Sequence, residues 1–213
     1  MSQTKFIAGD AVAPMGFTGG DDGTLVLQTG AAGSKVNAVS YAADGTPTFL
    51  KSGMVRGTPV ATTSGTSILF SGIPSWAKRI TLQFAGVGTS GTSIKQVQIG
   101  SGSLTTSGYA SGGSIFAASS LASTSPINTG LCVYSAAASE RLAGSMVLTL
   151  ENAATNTWVE TYTFSNDNAT SGYYQFVGGG RISLSGVLDR LSLTTVNGTD
   201  TFVAGECNIL YEG

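Results

Sequence analysis

The sequence predicts an all-β protein: an antiparallel β-sandwich or jelly-roll-like C-terminal domain preceded by a short N-terminal β segment. Two observations carry that expectation. Apolar residues alternate with polar ones at period two, and the breaks between these runs carry turn chemistry. Helical periodicity is nearly absent, since its best candidate, residues 136–142, is too short to hold without packing.

Taken in order, residues 21–55 hold three short strands with a single aromatic pair, Tyr41 and Phe49. Asp44-Gly45 separates KVNAVSY from TPTFL, and this dipeptide takes the positive φ of a tight hairpin turn. Three such strands bury too little to stand alone, and they gain stability when equivalent strands of other chains complete their core. Residues 56–65, with Pro59 among Gly, Ser and Thr, read as a linker.

From 66 to 213 the alternation is clearest at residues 79–84 (RITLQF) and 190–194 (RLSLT). Further strands are expected at 67–70, 94–99, 131–134, 146–151, 158–164, 181–184 and 206–211. The turn-like residues 153–156 join MVLTLEN to TWVETYTF, and Asn197-Gly198 predicts a second hairpin between RLSLTTV and TDTFVAG. Residues 101–125 lack periodicity and read as a long loop, either a binding loop or an ordinary variable one. The run Gly178-Gly179-Gly180-Arg181 precedes a strand rather than a helix, so it reads as a turn or bulge and not as a phosphate loop.

Composition narrows the function. Charged residues are only 10% of the chain, the net charge is −2, and no basic stripe exists to neutralise phosphates, so nucleic acid is not an expected partner. No run approaches the length of a membrane span, and the start MSQTKFIAGD lacks an export signal, which predicts a soluble, unprocessed chain with no membrane insertion. Cys132 and Cys207 either pair or serve as two small buried hydrophobes.

Histidine is absent, which removes the commonest general base and metal ligand; no catalytic, metal or cofactor-binding residue is expected. Glu151 and Glu160 could face one another across a hairpin, but like charges there read as a solvated face rather than a glycosidase pair. Asp21-Asp22 reads as a turn, and the sequons at Asn168 and Asn197 matter only in a secreted eukaryotic chain. Aromatic residues remain as binding candidates, because sugar rings stack on their faces. Trp76 and Trp158 read as core, whereas Tyr109, Tyr173 and Tyr174 are the candidate surface-binding residues.

The segments SGTSILFSGIPSWAKRITLQFAGV (residues 64–87) and LDRLSLTTVNGTDTFVAGECNILYE (residues 188–212) resemble a C-terminal domain found in many tail-fibre and other virion proteins of tailed bacteriophages. An Ile-Pro-Ser-Trp step into a strand and a terminal hairpin with Asn-Gly-Thr-Asp carry the likeness. Upstream, DDGTLVLQTG and VNAVSYAADGTPTF look like the short fibre modules that precede such domains. The resemblance implies a structural, non-enzymatic virion protein on the particle exterior, usually a homotrimer, with no catalytic residues to carry over. A short tail fibre or receptor-binding subunit is the expected role, with host surface polysaccharide as a candidate partner. A capsid decoration or head-fibre protein is the alternative, because little shaft separates the two segments. Residues 1–20, with Phe6, Ile7, Met15 and Phe17 among glycines, then read as an anchor that docks on another virion protein of tail or capsid; a frayed terminus is the other reading.

Overall fold

The computed structural model describes residues 6–8, 15–19, 25–29, 36–41, 44, 47–49, 53–117, 120–124, 126–135, 137–167 and 174–213. The chain divides into two compact units, Met1–Gly53 and Met54–Gly213. Both are built from antiparallel strands, and no helix occurs among the described residues.

The first unit is a meander of β1 (Phe6–Ala8), β2 (Met15–Gly19), β3 (Leu25–Thr29), β4 (Val36–Tyr41) and β5 (Pro47–Phe49), each paired with the next. Tyr41 pairs with Pro47 around the turn at Asp44, the hairpin that Asp-Gly chemistry favours. The anchor candidates lie within this sheet rather than before it. Phe6 and Ile7 are on β1, Met15 and Phe17 on β2, and Phe6 is paired in register with Phe17. Phe6–Ala8 and Met15–Gly19 are thus joined to the strands that follow, and the boundary between units falls after Gly53.

In the second unit part of residues 56–65, read as a linker, is paired: Arg56 ends one strand, and Val60 and Ala61 form another. β6 (Met54–Arg56) and β7 (Val60–Ala61) both pair with the last strand, β19 (Phe202–Glu212), and Gly57 N–H donates to Ile209 O at 2.7 Å. Between them run β8 (Ile68–Ser71), β9 (Arg79–Thr89), β10 (Lys95–Ser101), β11 (Ser103–Leu104), β12 (Ala110–Ala117), β13 (Ser120–Ser123) and β14 (Leu131–Val133). They are followed by β15 (Leu142–Asn152), β16 (Thr157–Asn166), β17 (Gln175–Ser183) and β18 (Arg190–Thr195). One sheet has nine strands, in the order β13-β12-β17-β16-β15-β9-β19-β6 with β7 also on β19. The other has five, β11-β10-β18-β8 with β14 on β10.

Alternation explains the core. On β16, Trp158, Glu160, Tyr162, Phe164 and Asn166 are buried while Val159, Thr161 and Thr163 face outward. Leu191 and Leu193 from the smaller sheet and Leu82, Phe84, Phe164 and Ile209 from the larger one join a single apolar cluster. Burial of each such side chain contributes roughly 1.5–3 kcal/mol before entropy is counted.

Three expectations are corrected here. Residues 101–125 are not one long loop: they carry β11, β12 and β13, because Ser, Gly and Ala can alternate faces without hydrophobic contrast to reveal it. Gly178, Gly179 and Gly180 sit inside β17, paired on both sides. A Cβ on Gly178 would collide with the Tyr162 ring and one on Gly180 with Ser111, so the glycines make room for neighbours rather than a turn. Finally, Asn197-Gly198 does not close a hairpin. Gly198 has φ +67°, yet β18 pairs with β10 and β8 while β19 belongs to the other sheet, so the turn is a corner between sheets.

Candidate functional site

The aromatic candidates are not a shared surface. Tyr109 is only 4% exposed: its hydroxyl donates to the Thr105 carbonyl at 2.9 Å and accepts from Ile99 N–H at 2.9 Å. Burial pushes that phenol up to about 12. It is a core residue that closes the turn after β11, which corrects its reading as a surface contact. Tyr174 is half-buried against the core, and its carbonyl accepts from Asn166 N–H at 3.0 Å. Tyr173 lies outside the described residues. Trp158 is buried as expected, and Trp76 packs partly against the core near the chain end.

The carboxylates also part company. Glu160 pairs with Leu148, not with Glu151, and turns into the core, whereas Glu151 is exposed beside the bulge of β15. No two-carboxylate arrangement forms between them. A solvated face is also ruled out for Glu160, because it shares the apolar parity of Trp158 and Tyr162; that period-two signal was present in the sequence.

Two polar groups are sealed inside the second unit. Lys95 is fully buried and donates from Nζ to Ser135 Oγ at 2.8 Å, which donates to Glu140 Oε2 at 2.7 Å. Ala137 N–H donates to the same oxygen at 3.0 Å. Desolvation pulls the Lys95 ammonium down to about 8, while Glu140 opposes it. The second group is Glu160 with Cys132 and Tyr162. Neither Glu160 oxygen has a hydrogen-bond partner, and burial alone pushes its carboxyl up to about 8, so it is mostly protonated at neutral pH. Tyr162 OH accepts from Tyr134 N–H at 3.0 Å, and Cys132 N–H donates to Ser111 Oγ at 2.6 Å. Cys132 and Cys207 are free buried thiols, each pushed up to about 12 by burial. Walled off from solvent, these groups tie strands together rather than meet a ligand.

The accessible chemistry lies on the outer side of the nine-stranded sheet. A depression of about 310 Å³ is lined by Ser107, Gly108, Ala110, Arg181, Ile182 and Ser183. Gly108, at φ +86°, turns the chain there, and Ala110 and Arg181, paired across β12 and β17, both line the depression. Ser183 Oγ shares a 2.8 Å hydrogen bond with Thr157 Oγ1. The exposed Arg181 guanidinium carries no site signal in the sequence, because it follows a glycine run that reads as a turn. Among the described residues, no three His, Cys, Asp or Glu side chains gather to hold a metal, and no helix is long and apolar enough to cross a membrane. Comparison with protein-family models, curated proteins and solved structures finds no match to this chain.

Proposed function

We propose that this chain is a structural, non-enzymatic protein of a tailed-bacteriophage virion, a short tail fibre or receptor-binding subunit that presents its second unit to the host surface. In this reading the two sheets of that unit form a β-sandwich and the working particle is a homotrimer. The resemblance of residues 64–87 and 188–212 to phage virion domains supplies the context. The observation that carries the recognition role is the division of chemistry in the second unit. Its buried acids, Glu140 and Glu160, are enclosed in the core, while outward strand positions carry hydroxyl, small and lightly apolar side chains such as Thr161, Thr163 and Val159. Such a surface suits contact with hydroxyl-rich glycans better than proton transfer.

Trimeric presentation would convert weak single contacts into avidity gains of about 10² or more. Sedimentation equilibrium should give three times the chain mass, and a concentration-independent monomer would remove the trimer. Gold labelling of the C-terminus on purified virions, with competition of phage adsorption by purified protein, tests the role. Label on tails with blocked adsorption supports the fibre reading. Label across the capsid lattice with unaffected adsorption replaces it with the decoration reading, and no label on virions overturns both.

A further inference from the structure

We propose that the outer face of β12 and β17 is a binding track for an anionic glycan, with Arg181 holding the carboxylate or phosphate and Phe116 stacking a sugar ring. The inference rests on the surface-recognition reading above and names its ligand class.

The track begins with an inequality between two arginines on one cross-sheet row. Ala110, Arg181, Val159, Thr149, Arg79 and Glu212 are successive pairing partners across β12, β17, β16, β15, β9 and β19. Arg79 ends beside an acid, with Nε 3.3 Å from Glu212 Oε2. Arg181 has Ala110 and Val159 as its neighbours on that row, and among the described residues no hydrogen bond or ion pair engages its side chain. A guanidinium stays charged at every working pH and offers a planar fork that matches carboxylate and phosphate oxygens. Here that fork lines a depression of about 310 Å³, at the lower end of the range of small-molecule sites. Ser107 and Ser183 add hydroxyls beside it.

From the depression the same face continues along the two strands. Gly112 pairs with Gly179, so the rung next to the arginine carries no side chain, and the following rung, Ser114 with Val177, adds only a hydroxyl and a small apolar group. There Phe116 is 48% exposed and pairs with Leu121, itself 67% exposed, and with Gln175. From position 110 to 116 a strand advances about 20 Å at about 3.4 Å per residue, enough for a short oligosaccharide. An exposed aromatic face at one end, a free cation at the other and a low floor of glycine, serine and valine between them fit a sugar chain with an acidic group. The low charge of the chain leaves little competition for Arg181.

The test is retention of the full-length chain on three immobilised oligosaccharide arms: uronate-bearing, phosphorylated and neutral. Binding is expected on an anionic arm, and the arm that retains the chain assigns the carboxylate or the phosphate source. Arg181→Gln should weaken it about tenfold or more and Phe116→Ser several-fold, whereas Arg79→Gln leaves it unchanged, all three with wild-type melting temperatures. Retention on no arm, retention on the neutral arm that survives Arg181→Gln, or equal losses from the two arginine variants would overturn the site. Arg181-dependent retention by a chain that does not label virions would remove the virion reading and leave the site. A virion-bound chain whose Arg181→Gln form still blocks adsorption would do the reverse.

Discussion

Phe84 and Phe164 stack with ring centroids 4.7 Å apart although their strands are not neighbours. They meet because the strand between them places Gly144 opposite both, with no side chain in the gap. Gly144 has φ +143°, and a Cβ there would lie 3.0 Å from the Phe164 ring. Gly144→Ala should therefore lower stability by about 1–3 kcal/mol through overpacking and backbone strain. The measurement is the urea midpoint at unchanged slope, and a midpoint equal to wild type would show that the rings leave that space free.

At Gly198 the effect should come from the backbone alone. Its φ is +67°, and nothing lies within 4 Å of a Cβ built there. Gly198→Val should cost about 1–3 kcal/mol, and Gly198→Asn clearly less, because Asn tolerates the left-handed region. Equal falls in melting temperature for the two variants would assign the cost to something other than φ. Asn197 supports the same corner, its Oδ1 accepting from Thr199 N–H at 3.0 Å and Asp200 N–H at 3.2 Å.

These two glycines mark how far the sequence could be read. The positive φ of Gly198 follows from Asn-Gly chemistry, which is local. Its role as a corner does not, because which sheet receives β19 depends on Phe84, Leu82 and Ile80 more than a hundred residues earlier. The strands expected at 79–84 and 158–164 are legible for the same reason that their apolar faces are buried, although the strands themselves run on to Thr89 and Asn166. Gly178 to Gly180 are not legible, since glycine weakens strands and its use here depends on Tyr162 and Ser111 filling the vacated volume. Tyr109 reads as exposed because a tract of serines and glycines hides β12, whereas the glycines before Arg181 hide its place on a strand. Phe116 and Leu121 stood in that same tract, and only the pairing of β12 with β13 puts them side by side.

Glu160 should make stability fall as pH rises between about 4.5 and 8. Burial lifts its carboxyl from the ordinary 4.5 to about 8, so the folded chain keeps a proton that the unfolded chain releases. The contribution is full below the lower value and is lost as pH climbs through the upper one, at no more than about 1.4 kcal/mol per pH unit. Lys95, with a folded value near 8 below its ordinary 10.5, acts above that window and with the opposite sign. Glu160→Gln should remove this pH slope, so that the difference between wild-type and variant denaturation midpoints changes steadily across pH 5 to 8. A parallel pair of curves would place the carboxylate in contact with water.

The last expectation concerns the sealed chain of Lys95, Ser135 and Glu140. Lys95 is fully buried and Glu140 is 4% exposed, so neither charge recovers much solvation if its partner is removed. Lys95→Met leaves Glu140 with the Ser135 hydroxyl and Ala137 N–H but no cation, and should cost about 3–5 kcal/mol. Glu140→Leu strands the ammonium with Ser135 alone and should cost a similar amount, partly relieved as Lys95 gives up its proton. Combining the two removes both buried charges and leaves only Ser135 and Ala137 N–H to find other partners. The double variant should then be more stable than either single one, with a favourable coupling of several kcal/mol in a double-mutant cycle. Additive losses would mean that Lys95 and Glu140 do not sense each other through the serine, and that the hydroxyl bridge is a packing neighbour rather than part of an ion pair.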